Sequence, residues 1–196
     1  MHDRSIFHRR IVGISGNLTR PSRTRTLVAE ILRQIEARNV GHTELYDVAD
    51  AGANLAAVVV RENATAASAR VLSAIESADA LVVATPVYKA SYTGLFKHLF
   101  DLIDPKLLVG RPVILAATGG SDRHALVIDH QLRPLFAFFR AHSVPCGVYA
   151  TPVDFTAVGE LTDVAAQRAA PAVDQLVAVL AGLATAQTTS ALARTA

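Results

Sequence analysis

Short, nearly continuous apolar segments alternate with longer amphipathic segments, and this alternation constrains the fold of the chain more than any other feature. Residues 80–85 (ALVVAT) and 112–118 (PVILAAT) are almost wholly apolar, as strands covered on both faces of a sheet are. Between such segments the apolar residues recur at helical spacing, for example at Leu27, Ile31 and Ile35. The pattern therefore predicts parallel β-strands joined by helices.

The complete pattern predicts five strands and five helices in alternation. The predicted strands are residues 11–15, 42–48, 80–85, 112–118 and 146–150, and the predicted helices are residues 22–38, 66–78, 95–103, 124–142 and 161–183. Short links and right-handed crossovers place helices on both faces of one parallel sheet. We therefore expect an α/β fold, a flavodoxin-like three-layer α/β/α sandwich whose five-stranded parallel sheet has the order 2-1-3-4-5.

The length of 196 residues is that of a single domain. Residues 1–9 are predicted to be an N-terminal extension, residues 10–183 the folded domain, and the small, polar residues 184–196 a flexible tail. Hydrophobic residues make up 51% of the chain and charged residues 18%, which is enough apolar material for a substantial core.

Composition also excludes several functional classes. A net charge of +2 is too small for a nucleic-acid coat, and no apolar run reaches the roughly 18 residues that would cross a membrane. The start of the chain, MHDRSIFHRR, has no apolar signal core, so we expect a cytoplasmic protein. Cys146 is the single cysteine, and the histidines show no ligand spacing, so neither a disulfide nor a metal site is expected.

The segment after the first strand, GISGNLTRPSRTRTL, is rich in hydroxyl, amide and guanidinium groups and opens a helix. It lacks both GxxxxGK[ST] and GxGxxG, which disfavours a nucleoside triphosphatase and a dinucleotide fingerprint. Ser22 is a candidate N-cap, and Arg20 and Arg23 are candidate partners of a phosphate dianion at the helix N-terminus. The loop alone is equally typical of an ordinary capped helix.

Two further segments follow strands at the edge where parallel sheets bind ligands. In ATPVYKASYTG, Pro86 ends a strand, and Val87 and Tyr88 offer a flat apolar surface that suits a planar heterocycle. In ATGGSDRH, Gly119 and Gly120 allow a ligand to approach the backbone closely.

Taken together, the three segments resemble the signatures of the NAD(P)H-dependent FMN reductases of flavodoxin-like fold. The second segment is similar to the TPVYKASYSG-type motif, and the match extends over roughly residues 10 to 180. The reductase components of two-component alkanesulfonate and methanesulfonate monooxygenase systems are particularly similar. The resemblance implies that FMN and NADPH (or NADH) are the cofactors and that no side chain need act as an acid or base.

The resemblance also implies a set of site residues. It places the FMN phosphate at Asn17, Thr19, Ser22, Arg23 and Thr24, the isoalloxazine ring at Pro86, Val87, Tyr88 and Lys89, and the other edge of the ring at Thr118, Gly119, Gly120 and Ser121. The alternative interpretation is that Tyr88 is a half-buried aromatic residue with a packing role only and that Lys89 is only a surface charge.

Pro134 predicts a kink or wide turn in the helix at residues 124–142, because proline removes the bond to the carbonyl of His130. In the resembling reductases this helix carries a π-type insertion, often centred on a tyrosine; His130 stands in its place here. We expect His130 to lie at a subunit contact and to affect flavin hand-over, or else to be a polar residue beside the kink.

The predicted helix 95–103 and residues 132–139 of the next predicted helix carry more apolar surface than one sheet face needs, which favours a homodimer or homotetramer. The apolar residues in question are Phe96, Leu99, Phe100, Leu135, Phe136, Phe138 and Phe139.

The expected activity is hydride transfer from nicotinamide to FMN, with reduced flavin passed to a flavin-dependent monooxygenase. Two alternatives remain: an FMN-bound quinone or azo reductase of the same fold, and a non-enzymatic flavodoxin-like electron carrier. Sequence does not decide between NADPH and NADH.

Overall fold

The computed structural model describes residues 9–193, which form a parallel sheet covered by helices on both faces. The strands are β1 (Arg10–Ser15), β2 (His42–Asp47), β3 (Ala80–Pro86), β4 (Pro112–Thr118), β5 (His142–Ser143) and β6 (Val148–Ala150). The sheet order is β2-β1-β3-β4, and both β5 and β6 pair with the outer edge of β4. The predicted flavodoxin-like order is therefore confirmed, with two short strands sharing the fifth place.

The division of the fifth strand has a local cause. His142 and Ser143 pair with the start of β4, and Val148–Ala150 pair with its end. Pro145, between them, has no N–H to give to the ladder, and Val144 makes the last bond of the first piece, from its N–H to the carbonyl of Val113 at 2.9 Å. The sequence prediction of one strand at residues 146–150 captured the second piece and missed the first.

The helices are α1 (Arg23–Glu36), α2 (Ala66–Ser77), α3 (Gly94–Asp101), α4 (Arg133–Phe138) and α5 (Asp163–Ala193), with a π-helix at Ile128–Leu132 directly before α4. Short 3₁₀ turns lie at Val48–Ala51, Leu55–Ala57, Arg61–Asn63, Pro105–Leu108, Asp122–His124 and Pro152–Asp154. One apolar core joins α1 and α5 to one face of the sheet, and a second core joins α2, α3 and α4 to the other. These are the three predicted layers.

The single long helix predicted for residues 124–142 is wrong. A 3₁₀ turn, the π-helix and the short α4 occupy the region, and α4 ends at Phe138. Pro134 stands in the first turn of α4, where its missing N–H costs little. The predicted wide turn is confirmed, because the π-helix has His130 at its centre.

The last helix, α5, is longer than predicted. It continues past Pro171, which is exposed, so that water can reach the carbonyl that proline leaves unbonded. It also continues to Ala193, into the segment for which the sequence predicts a flexible tail. Of the predicted N-terminal extension, residues 1–8 lie outside the described residues, as do residues 194–196 at the other end.

Four phenylalanine rings form the centre of the core beneath α3 and α4. The Phe100 centroid lies 4.9 Å from that of Phe96 and 5.0 Å from that of Phe136, and Phe139 packs against both Phe100 and Phe136. These rings, which the sequence suggested as a subunit contact, are buried within their own chain. Only Phe138 of the group is strongly exposed, so most of the apolar surface that favoured a homo-oligomer is already covered.

An ion pair joins the two strands at one edge of the sheet. Arg10 of β1 donates to Glu44 of β2 through Nε (2.6 Å) and a terminal nitrogen (2.8 Å). The hydrogen bonds from Arg10 hold the pKa of Glu44 at about 2, well below its ordinary value.

Replacing Glu44 with glutamine tests this pair through pH. A carboxylate whose pKa is lower in the folded than in the unfolded chain stabilises the fold above its unfolded pKa, and this contribution disappears as pH falls through the folded pKa. The pair is partly exposed, so we expect less than about 1 kcal/mol near pH 7. The difference in unfolding free energy between wild type and Glu44→Gln, from urea titrations, should shrink from about pH 4.5 toward pH 2; a difference independent of pH would contradict the assignment.

In the part of the chain that the structure describes, no helix is both long enough and apolar enough to cross a membrane.

Candidate functional site

The loop between β1 and α1 is held in shape by its own side chains and by β3. The amide of Gly16 donates to the carbonyl of Ala84 at 2.7 Å. The buried side chain of Asn17 donates to the carbonyl of Thr19 at 2.8 Å and accepts from the hydroxyl of Ser15. Ser22 caps α1, as predicted, by accepting from the amide of Arg25. The loop therefore delivers a fixed helix N-terminus, with no acidic residue in its first turn, to the carboxyl edge of the sheet.

The arginines of this loop have different partners. Arg20 donates to Asp47 at 2.5 Å and to Asp50 at 2.9 Å, and Arg25 lies 3.0 Å from the same oxygen of Asp47. The side chain of Asp47, at the end of β2, is fully buried. Two carboxylates therefore already bind Arg20, which leaves fewer of its N–H groups for a phosphate. Its pairing with a phosphate stays a prediction.

Arg23 is the arginine of this loop whose guanidinium is available to bind a phosphate. Its guanidinium lies 5.8 Å from the centre of the Phe155 ring, and no carboxylate among residues 9–193 forms an ion pair with it. It stands at the first position of α1 and is exposed. A cation at this place adds to the partial positive charge of the helix N-terminus.

A buried hydrogen bond ties the start of α1 to the end of β4. The hydroxyls of Thr24 and Thr118 lie 2.6 Å apart, and both side chains are buried. The carbonyl of Thr118 also accepts from the amide of Val87 at 2.8 Å. Residues from all three predicted segments are thus bonded together through Thr118.

The segment after β3 makes a tight turn. Tyr88 and Ser91 exchange two backbone hydrogen bonds, and Lys89 and Ala90 between them both have positive φ angles (52° and 67°), as a type I′ turn requires. The turn holds the Tyr88 side chain in the open, 59% exposed. Ser91 donates to Gln131 at 3.1 Å, which connects the turn to the π-helix beside the exposed His130.

Gly119 is required by its neighbour Tyr149. A Cβ at this position would lie 1.9 Å from the Tyr149 hydroxyl oxygen, and that hydroxyl is held in place by donating to the carbonyl of Ser121 at 2.8 Å. Burial raises the pKa of Tyr149, and the charge of Asp122 raises it further. Gly119 thus allows the Tyr149 side chain to approach the backbone closely. The sequence analysis expected a ligand in that role and did not predict Tyr149.

The first two segments and the end of β4 line one cavity of about 580 Å³ at the carboxyl edge of the sheet, a volume within the usual range of ligand sites. Eight predicted site residues line it: Asn17, Thr19, Ser22, Arg23, Thr24, Pro86, Tyr88 and Thr118. The other predicted residues do not line it: Val87, Lys89, Gly119, Gly120, Ser121 and His130. Their roles remain predictions.

Five lining residues were missed by the sequence analysis: Pro21, Thr26, Ala157, Val158 and Gly159. The last three belong to the connection between β6 and α5. The rule that ligands bind beyond the carboxyl ends of parallel strands applies to this connection as well, and it was the available signal.

A second cavity, of about 630 Å³, is slightly larger but carries no comparable chemistry. It lies between residues 59–62 and the end of α3, and no strand end lines it. Its one basic lining residue among those described, Arg61, is bonded to Glu76 at 3.1 Å, and the other charged lining residues are the carboxylates Glu62, Asp101 and Asp104.

The donor set of the carboxyl-edge cavity fits FMN. Hydroxyls, a helix N-terminus and an unpaired guanidinium at one end suit a phosphate dianion. The exposed aromatic ring of Tyr88 and the apolar ring of Pro86, which line the same cavity, suit a planar heterocycle.

The bond between Thr24 and Thr118 is expected to be worth a measurable share of the stability of the site. Replacing either threonine with valine keeps the shape and leaves the other hydroxyl buried without its partner, at a cost of about 1–3 kcal/mol. We expect the double variant to be less destabilised than the sum of the two single variants. Denaturant unfolding of all four proteins measures this coupling; simple additivity would contradict it.

Comparisons with known proteins agree with this site. The family model described as NADPH-dependent FMN reductase matches residues 9–156. The NADH-dependent FMN reductase SfnF of Pseudomonas fluorescens is 47% identical over 169 residues, with 83% of this chain and 90% of the relative covered. The FMN reductase (NADPH) of Pseudomonas aeruginosa is also 47% identical over 169 residues, covering 83% of this chain and 91% of its own length.

Two solved structures are similar over most of their length. An oxidoreductase from Corynebacterium diphtheriae superposes with a TM-score of 0.75 at 35% identity, covering 89% of this chain and 98% of the other. The apo form of the NADH:FMN oxidoreductase EmoB has a TM-score of 0.76 at 32% identity, covering 86% and 88%. The match of the family model over most of the chain, together with these relatives, shows that the chain belongs to the NADPH-dependent FMN reductase family.

Proposed function

We propose that this protein reduces FMN with NADH or NADPH and releases the reduced flavin to a separate flavin-dependent monooxygenase that acts on sulfonates. The first part, NAD(P)H-dependent reduction of FMN, follows from family membership. The second part rests on the names of relatives such as SfnF and SfnE and on the exposure of Tyr88 in the cavity.

FMN, when bound, supplies the redox chemistry, because its ring accepts a hydride from nicotinamide. The role of the protein is to bind the flavin and to orient it. Arg23, Ser22 and the N-terminus of α1 would hold the phosphate, and the hydroxyl of Thr24 is kept near the start of α1 by its bond to Thr118. Pro86 and Tyr88, which line the same cavity, would contact the ring. No proton transfer by a side chain is needed for the hydride step.

One observation carries the proposal: the phosphate-type loop after β1 and the aromatic turn after β3 line the same cavity. The exposed Tyr88 is the only aromatic side chain among the described residues that line it. A single exposed ring holds a flavin less firmly than two enclosing rings do. This favours an exchangeable flavin over the tightly bound flavin of an electron carrier.

Steady-state NADH and NADPH oxidation with FMN, FAD and riboflavin in turn tests the activity. A reductase that supplies free flavin should show saturation by FMN in a sequential pattern. An FMN-bound quinone or azo reductase should instead purify yellow and show ping-pong kinetics. Failure to oxidise either nicotinamide without a protein partner would favour the electron carrier.

We further infer that residues 10–183 form the catalytic domain and that the protein works as a homodimer or homotetramer. Phe138, 70% exposed on α4, supports the second inference. His130, exposed in the π-helix near the Tyr88 turn, is proposed to affect flavin hand-over. Light scattering, together with FMN affinity, of wild type and His130→Ala tests both; a monomer and an unchanged affinity would contradict them.

A further inference from the structure

The connection between β6 and α5 contains a compact loop, residues 156–160, which we call the capping loop. Phe155 and Leu161 pair across its base in a single antiparallel bridge. The amide of Thr156 donates to the carbonyl of Glu160 at 2.8 Å, and the amide of Gly159 donates to the carbonyl of Thr156 at 2.9 Å. Gly159 has φ of 86°, which glycine adopts without strain. These bonds give the loop a defined shape.

The tip of the capping loop belongs to the cavity. Ala157, Val158 and Gly159 line it together with the first turn of α1. Val158 is 82% exposed, although it is an apolar residue in a loop with a defined backbone. The match to the family model ends at Thr156, so the tip lies beyond the segment that defines the family.

The aromatic ring beneath Arg23 belongs to Phe155, at the base of the same loop. Phe155 is 8% exposed and packs into the core that joins α1 and α5 to the sheet. The Arg23 guanidinium lies over this ring at 5.8 Å, within the range of a cation–π contact. The chain just before this ring is also fixed, because Asp154 accepts from the amide of Thr151 at 2.7 Å and binds Arg168.

We infer that the capping loop is the third wall of the flavin phosphate site: Val158 stands beside the phosphate, and Phe155 is a positioning residue that holds Arg23 against it. The inference rests on the proposed binding of FMN in this cavity. It predicts that changes in the loop alter the binding of phosphorylated flavin selectively, because riboflavin has the same ring and ribityl chain without the phosphate.

Val158→Asp tests the position of the loop. A carboxylate at the tip should repel the phosphate dianion, so we expect the Kd for FMN, from flavin fluorescence titration, to rise about 5-fold or more at low salt. The Kd for riboflavin should change less than about 2-fold, and 0.5 M NaCl should reduce the effect on FMN because salt screens exposed charges.

Two variants serve as matched controls. Val153→Asp makes the same substitution at a residue that is 84% exposed and does not line the cavity, and it should leave both flavins unaffected. Val158→Asn changes polarity without charge and should have little effect. Equal weakening of FMN and riboflavin by Val158→Asp, or equal effects of the two aspartates, would overturn the inference.

Phe155 is tested by replacement with leucine and with tyrosine. Leucine removes the aromatic face and should raise the Kd for FMN about 2- to 5-fold with little change for riboflavin, whereas tyrosine should restore the wild-type value. Thermal unfolding should show that both variants are folded. If the leucine and tyrosine variants then have the same Kd for FMN, the positioning role of Phe155 is overturned. Wild-type protein that binds no FMN would instead overturn the proposed function itself.

Discussion

Replacing Arg23 with methionine is expected to raise the KM for FMN about 10- to 150-fold and to leave riboflavin reduction within about 2-fold of wild type. A charge-assisted hydrogen bond to a phosphate contributes about 1.5–3 kcal/mol, which converts to that range of affinity. The effect should be large because no carboxylate among the described residues forms an ion pair with Arg23, whereas Arg20 and Arg25 are bound to Asp47.

The control for this variant is Arg23→Lys, which keeps the charge and loses the planar fork. It should give an intermediate KM, measured by NAD(P)H oxidation at varied FMN. Circular dichroism and thermal unfolding should show both variants folded, since Arg23 is exposed. An unchanged KM for FMN in Arg23→Met, or an equal loss with riboflavin, would contradict the assignment of the phosphate end.

Phe100→Ala is expected to destabilise the protein by about 3–5 kcal/mol, the range for removing a buried phenylalanine ring. Phe100 has no exposed surface and contacts the rings of Phe96, Phe136 and Phe139. The cavity left behind lies between α3 and α4, where three large rings cannot collapse without moving their helices. Urea unfolding monitored by circular dichroism measures the change.

Phe138→Ala is the matched control, because the same atoms are removed from a ring that is 70% exposed. We expect a change within about 0.5 kcal/mol in the stability of the single folded chain. A loss that depends on protein concentration would show that Phe138 lies in a subunit contact. Similar destabilisation by both variants at all concentrations would contradict the packing described for α3 and α4.

The arginine network shows what local sequence patterns leave undecided. The sequence places Arg20, Arg23 and Arg25 within six residues of one another, and by composition any of them suits a phosphate. Which arginine is left to bind a phosphate depends on Asp47. This residue lies 27 residues beyond Arg20 and reaches the loop because β2 pairs with β1. A partner brought in by sheet pairing leaves no trace in the pattern of the loop itself.

The carboxyl-edge cavity combines both kinds of information. The sequence identified the loop after β1 and the turn after β3, since a proline at a strand end and a serine at a helix start act through nearby backbone. It did not identify Val158 and its neighbours, because an exposed valine beside a glycine carries no chemical signal until the chain has folded.

The amino-acid sequence by itself determined the alternation of strands and helices, the cap at Ser22 and the wide turn before Pro134, because each depends on the periodicity of apolar residues or on the chemistry of a single residue. Only the tertiary structure decided which arginine stays free, which aromatic rings are buried within the chain, and that the capping loop reaches the cavity. These depend on contacts between residues far apart in the chain, such as Thr24 with Thr118 and Arg23 with Phe155, and such contacts exist only once the sheet has brought its carboxyl ends together.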